Sequence, residues 1–122
     1  MIVLDTNVVI LYINDDATIV SWINRQRAMG ESFSVSTITV VELLGFPKII
    51  PQEVLMIELW LKRVLVVDVD LSVAREAARI RRELKLTMSD SVIAATAVLL
   101  KSPVATRDVV FKKIRDISVI RP

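Results

Sequence analysis

Short apolar runs alternate with helical segments along the whole sequence, and this alternation constrains the fold more than any other feature. The apolar runs predict strands at residues 1–4, 33–35, 64–69, 104–106 and 117–120. Periodicity and capping residues predict helices at residues 6–13, 15–30, 37–44, 52–63, 73–85, 90–100 and 108–114. Strands that alternate with helices form parallel sheets with helices on both faces. The sequence therefore predicts one α/β domain over residues 1–122, with a mostly parallel sheet of four to five short strands.

The composition removes several classes of chemistry. Both Cys and His are absent from the 122 residues, which excludes disulfides, thiolate metal sites and imidazole acid–base catalysis. Only 2 Gly are present, too few for an all-β fold crowded with tight turns. No apolar run is long enough for a membrane span and no leader is evident, so we expect a cytoplasmic location. Chemistry near neutral pH must therefore use carboxylates, hydroxyls, Lys, Arg or a bound metal ion.

Four acidic residues are expected to meet at one edge of the predicted sheet. Asp5 directly follows the first strand, and Asp108 comes just after the fourth. Asp90 lies in the first turn of the helix that precedes the fourth strand, and Glu42 lies among aliphatic residues in the helix after the second. Ligands of open α/β sheets bind beyond the carboxyl ends of the strands, where such loops lie. The sequence therefore predicts a shared acidic pocket there.

Four carboxylates in one pocket need a compensating cation. Like charges within about 4–6 Å raise one another's pKa values unless a cation is present. Without His or Cys, the hard ions Mg²⁺ and Mn²⁺ fit best, since they prefer oxygen ligands. Such an ion polarises a phosphoryl oxygen and lowers the pKa of a bound water. The predicted reaction is hydrolysis of a phosphodiester.

Four segments together resemble the motifs of a known family. MIVLDTNVVI, STITVVEL, SDSVIAATAVLL and VATRDVVFKKI resemble, in that order, the four motifs of PIN domains. In length and motif order the chain is most similar to the VapC-type toxin ribonucleases of toxin–antitoxin pairs. The resemblance implies a three-layer α/β/α sandwich and a Mg²⁺- or Mn²⁺-dependent endoribonuclease whose products carry 5′-phosphate and 3′-hydroxyl ends. It also implies an RNA substrate, a cognate antitoxin and a homodimer.

The resemblance also implies roles for particular residues. The family's acidic quartet corresponds to Asp5, Glu42, Asp90 and Asp108. Asp5 and Asp90 are the expected direct metal ligands, while Thr6, Asn7 and Thr106 match polar positions that support the pocket. The loop of residues 85–89 departs from the basic or Gly-rich loop often found in the family, so no substrate contact is assigned to it.

Basic residues offer two candidate phosphate sites of unequal strength. Three that lie near the predicted pocket are the better candidates: Arg107, Lys112 and Lys113. Three others share one helical face: Arg75, Arg79 and Arg82. Glu76 and Glu83 follow at helical spacings, which favours a solvated, ion-paired face over phosphate binding. Trp22 and Trp60 are expected in the core or at an interface.

Other readings compete with the nuclease hypothesis. Asp5, Asp90 and Asp108 could each act only in helix capping or in a helix dipole, and Glu42 could simply face water. The run VLVVDVDLS resembles a phosphatase motif, although capping of the next helix by Asp70 explains it better. The same run would place Asp68 as the phosphoacceptor of a receiver-like domain. The alternative function is therefore a binding module, either receiver-like or catalytically silent. The apolar segment of residues 54–61 suggests contact with a partner under both the nuclease and the binding-module hypotheses.

Overall fold

The first apolar run forms the central strand of the sheet. In the computed structural model, which describes residues 1–122, β1 (Ile2–Leu4) lies between β2 (Phe33–Ser36) and β4 (Val104–Ala105). The strands β3 (Leu65–Val67) and β5 (Val119–Ile120) form the two edges. The order is therefore β3-β2-β1-β4-β5, and every pairing is parallel. This confirms the predicted parallel sheet and fixes its size at five strands.

The helices connect successive strands. They are α1 (Thr6–Ile13), α2 (Ala17–Ala28), α3 (Thr37–Leu44), α4 (Pro51–Leu61), α5 (Leu71–Leu84) and α6 (Met88–Leu100). The segment predicted as helical after β4 is a short 3₁₀ helix, Val109–Lys113. None of the helices combines the length and the apolar character needed to cross a membrane.

Alternate side chains of β1 enter two separate cores, one on each face of the sheet. Ile2 and Leu4 pack with residues of α1, α2 and α4, including Trp22 and Trp60. Val3 points the other way and packs with residues of α5 and α6. This alternation follows from the twofold side-chain period of a strand. The molecule is therefore the three-layer α/β/α sandwich that the resemblance implied, and both tryptophans are core residues.

Two local predictions were wrong. Residues 64–69 were expected to form a full strand, but only Leu65–Val67 does, and Leu65 is exposed. An apolar run of this kind is typical of a buried strand, yet here it forms an edge with one unpaired side. Ser89 was expected to cap the helix of residues 90–100, but α6 begins earlier and is capped by Thr87, whose Oγ1 accepts from the amide of Asp90 at 3.2 Å.

Helix α4 is covered by the domain on one side only. Ile57 and Trp60 are buried, whereas Leu55, Met56 and Leu59 are exposed. A groove of about 520 Å³ adjoins this helix where it meets α1 and α3. The exposed side of α4 is therefore the apolar surface that the sequence predicted for residues 54–61.

Candidate active site

The strand pairing brings two of the four predicted acids to neighbouring positions. Asp5 directly follows β1 and Asp108 comes shortly after β4, and these two strands pair in parallel through Leu4 and Ala105. The amide of Asp5 continues this ladder by donating to the carbonyl of Ala105 at 3.1 Å. Both loops therefore leave the carboxyl edge side by side, as expected for ligand sites in open α/β sheets.

Asp5 is the buried member of the acidic group, with 3% of its surface exposed. Its Oδ2 accepts a hydrogen bond from Thr106 Oγ1 at 2.7 Å, and Thr106 Oγ1 in turn accepts from the amide of Asp108 at 2.9 Å. Burial raises the pKa of Asp5 from 3.8 to about 6, and the charges of Asp90 and Asp108 add to this rise. The hydrogen bonds from Thr106 and from the amide of Thr6 oppose it.

Asp90 joins the group from the first turn of α6. Burial raises the pKa of this half-buried carboxyl, and the charges of Asp108 and Glu42 raise it further, against the lowering effect of the Thr87 hydroxyl. Asp90 is thus close enough to feel the charges of Asp108 and Glu42, and its own charge acts on Asp5. The structure therefore brings Asp5, Glu42, Asp90 and Asp108 into one electrostatic neighbourhood.

Hydroxyl groups hold the carboxylate of Glu42. Its Oε1 accepts from Thr6 Oγ1 at 2.7 Å and from Ser89 Oγ at 2.6 Å. The Thr6 oxygen lies 2.9 Å from Thr39 Oγ1, and Thr39 is fully buried. Thr6 was expected to support the pocket, but neither Thr39 nor Ser89 was assigned to it from the sequence. The only available signal was that Thr39 lies one helical turn before Glu42 on α3, and Ser89 directly before Asp90.

No basic side chain neutralises the acidic group. The ion pairs of the chain join the Met1 amine to Glu31, and Arg79 to Glu76, Glu83 and Asp116. No three acidic side chains come close enough together to hold a metal ion by themselves. A site with two direct carboxylate ligands remains compatible with this geometry, because Mg²⁺ commonly takes one or two carboxylates and completes its shell with water.

The other predicted pocket residues differ in their exposure and in their hydrogen-bond partners. Asn7 is exposed and its side chain makes no hydrogen bond within the chain, so the structure does not bring it into this network. Arg107 adjoins Asp108, but its Nε donates to the carbonyl of Pro122 at 3.2 Å. Lys112 is exposed without an ion pair, and Lys113 lines a groove beside α5.

Three predictions outside the acidic group were decided by the structure. Arg79 pairs with Glu76 and Glu83, which confirms the ion-paired face for this arginine. Asp70 caps α5 by accepting from the amide of Val73 at 2.9 Å, which confirms its structural role. Asp68, however, follows β3, which is an edge strand rather than the central strand that a receiver phosphoacceptor requires. The receiver interpretation was therefore wrong.

These features define a class: a doubly wound α/β domain with a group of acidic residues at the carboxyl edge of a parallel sheet. A sequence model described as "PIN domain" matches residues 2–117. That match covers nearly the whole chain, and the chain belongs to the PIN domain family. The resemblance inferred from its four motifs is confirmed. No curated protein sequence matches the chain.

Solved structures share this fold over almost their whole length. A chain of DNA-bound VapBC from Salmonella typhimurium is 26% identical with a TM-score of 0.83, covering 98% of this chain and 96% of that one. A chain of FitAcB from Neisseria gonorrhoeae is 30% identical with a TM-score of 0.72, covering 99% and 97%. A chain of a toxin–antitoxin complex from Klebsiella pneumoniae is 22% identical with a TM-score of 0.80, covering 99% and 97%.

Proposed function

We propose that this chain is a Mg²⁺- or Mn²⁺-dependent endoribonuclease that hydrolyses RNA phosphodiester bonds. The observation that carries this proposal is a group of four carboxylates that no Lys or Arg neutralises. Burial, and after it the charges of the neighbouring acids, raises the pKa values of Asp5 and Asp90. Such repulsion is relieved when a cation binds among the carboxylates. Membership of the PIN domain family supports nuclease activity.

The residues present fit a hard divalent cation. All the side-chain donors in the pocket are oxygen atoms, which Mg²⁺ and Mn²⁺ prefer. Asp5 and Asp90 would hold the ion, with water filling the remaining positions. When bound, the ion would stabilise charge on the scissile phosphate and lower the pKa of an adjacent water.

Each surrounding residue then has a definite task. Thr106 fixes the orientation of the Asp5 carboxylate through its 2.7 Å hydrogen bond. Glu42 and Asp108 would orient the attacking water, and Glu42 keeps one oxygen, Oε2, without a hydrogen bond from the chain. Because the chain has no His, the usual acid–base route through the ribose 2′-hydroxyl lacks its imidazole groups. Membership of the PIN domain family implies attack by water that leaves 5′-phosphate and 3′-hydroxyl ends, and we propose this route, which agrees with the absence of His.

The substrate would approach across the loop that follows β4. Arg107 adjoins Asp108 in this loop, and Lys112 and Lys113 follow in the 3₁₀ helix. We propose these three side chains as phosphate contacts, with Arg107 nearest in sequence to the acidic group. Electrostatic contacts of this kind bind the RNA backbone without reading its sequence.

A cleavage assay on total RNA tests the proposed activity. The wild-type chain with Mn²⁺ should cut RNA, and excess EDTA should abolish cutting. Asp5→Asn and Asp90→Asn should each lower the rate by at least about 100-fold, because removing a residue that holds the reacting group costs several kcal/mol of transition-state stabilisation. Asp68→Asn is the matched control, since this exposed Asp lies outside the acidic group, and it should cut as wild type does.

Three outcomes would contradict the proposal. Cutting that persists in EDTA would exclude the metal. Full activity in Asp5→Asn or Asp90→Asn would exclude the acidic group as the site. No cutting of any RNA with Mn²⁺ would leave the catalytically silent binding module as the better reading.

We further propose that the chain is the toxin of a VapBC-type pair, acting in the cytoplasm with a cognate antitoxin, and that it forms a homodimer. Chains of VapBC and of a toxin–antitoxin complex share its fold, which supports the pairing. The exposed Leu55, Met56 and Leu59 on α4 offer apolar surface for a protein partner. Light scattering on the purified chain should give twice the 13.7 kDa mass of one copy, and a monomer would contradict the homodimer.

A further inference from the structure

Glu42 is held more firmly than its position would suggest. It is an exposed residue of α3, and an exposed glutamate ordinarily samples several rotamers, whose loss costs side-chain entropy. Here Thr6 of α1 and Ser89 of α6 both donate to Oε1 of Glu42. The carboxylate is therefore fixed between three helices, although much of the residue faces solvent.

The two hydroxyl donors are supported differently. Thr6 is buried and gives its only proton to Glu42, so Thr39 must be the donor in the 2.9 Å contact between the two threonines. Ser89 is half-buried, and its hydroxyl makes no other hydrogen bond in the chain. Ser89 also precedes Asp90 directly. Its 2.6 Å bond therefore couples the backbone that carries Asp90 to the carboxylate of Glu42.

A purely local role does not account for Ser89. The capping oxygen of α6 belongs to Thr87, which leaves the Ser89 hydroxyl free of that task. Glu42 has no ion pair with Lys or Arg, so the two hydroxyls fix its carboxylate without neutralising its charge. Hydrogen bonds to a carboxylate are strong and short, as both of these are. Only Oε1 is used, and Oε2 stays available to a cation or a water.

We propose that Ser89 is a positioning residue, which holds the Glu42 carboxylate beside Asp90 in the orientation that the metal-dependent site requires. This inference rests on the proposed nuclease function. It assigns to Ser89 no contact with the substrate or the ion.

Binding of Mn²⁺ alone, measured by titration calorimetry without RNA, tests this proposal. Ser89→Ala should weaken Mn²⁺ binding by about tenfold, the loss expected for one hydrogen bond to a charged group. Ser89→Thr keeps the hydroxyl and should restore most of the affinity. Ser91→Ala is the matched control in the same helix, because the Ser91 hydroxyl bonds the carbonyl of Thr87 and not Glu42. It should bind Mn²⁺ as wild type does.

A double variant separates positioning from a general effect on the helix. In a Glu42→Gln background, Ser89→Ala should cause no further loss of Mn²⁺ affinity, because the carboxylate that it positions is gone. In the RNA assay, Ser89→Ala should lower kcat and leave KM unchanged. Ala is favourable in helices, so the thermal midpoint should stay close to that of wild type.

The failure of this proposal is distinguishable from failure of the proposed function. If Ser89→Ala binds Mn²⁺ as wild type does while Glu42→Gln binds it more weakly, the positioning role is overturned and the nuclease assignment is untouched. Equal Mn²⁺ affinity in wild type and Glu42→Gln would overturn it as well. If the wild-type chain cuts no RNA but the predicted affinities are found, the nuclease assignment fails and the role of Ser89 in the metal site stands.

Discussion

Replacing Asp5 by Asn should stabilise the metal-free protein at neutral pH. The folded protein holds the pKa of Asp5 at about 6, against an ordinary value of 3.8, chiefly because the carboxyl is buried. At 1.36 kcal/mol for each tenfold change in acidity, keeping Asp5 ionised costs roughly 3 kcal/mol of folding free energy at pH 7. Asn is nearly isosteric and its amide oxygen can still accept from Thr106, so the variant removes this cost with little change in packing.

The pH dependence has a definite sign. Between pH 3.8 and about 6 the folded state binds more protons at Asp5 than the unfolded state does, so the stability of wild type falls as the pH rises through this range. The advantage of Asp5→Asn should therefore be largest at pH 7 and should shrink towards zero near pH 4.

Urea unfolding in EDTA, followed from pH 4 to pH 8, measures this difference. Mn²⁺ at 1,000 times its Kd should then reverse the order of stability at pH 7. At that concentration the ligand stabilises the binding-competent form by about 4.1 kcal/mol, which exceeds the roughly 3 kcal/mol cost of ionised Asp5, and the variant lacks a ligand. A variant that is less stable than wild type at pH 7, or equally stable at every pH, would refute the claim that burial and like charges strain Asp5.

Three further substitutions test the packing that supports the site. The hydroxyl of Ser34 is buried without a hydrogen-bond partner, so Ser34→Ala should raise the free energy of unfolding by about 1 kcal/mol. Ser36→Ala in the same strand removes the cap of α3 and should lower the free energy of unfolding by about 1 kcal/mol. Urea titrations that give the same sign of change for both variants would contradict this. A Cβ at Gly45 would lie 2.5 Å from the carbonyl oxygen of Val41, so Gly45→Ala should cost about 2 kcal/mol, and an unchanged urea midpoint would refute that.

The acidic site illustrates which positions can be predicted from sequence. Asp5 and Asp108 follow apolar runs, and parallel strands end at the same edge of a sheet, so their proximity was predictable from order alone. The position of Asp90 was predicted from the helix that directly precedes β4, because this residue lies in its first turn. The charges of Asp90 and Asp108 act on Asp5, and those of Asp108 and Glu42 act on Asp90, whereas the catalytic and metal-binding roles of these acids stay proposals.

Side-chain contacts between helices were harder to predict. Ser89 looked like a cap because Ser favours that position, but helix boundaries are uncertain by a residue or two and Thr87 serves equally well. Its contact with Glu42 joins residues 47 positions apart. Such a contact depends on how α3 and α6 pack, which no local pattern encodes.

The sequence by itself determined the α/β alternation, the absence of imidazole and thiol chemistry, and the strand ends and helices in which the acids lie. Periodicity, composition and order along the chain are local properties. The tertiary structure decided that β3 is an edge strand, which removes Asp68 from consideration. It also decided that Ser89 donates to Glu42 and that no basic side chain reaches the acids. These facts depend on the distances between elements far apart in sequence, and those distances are set only when the two cores pack against the sheet.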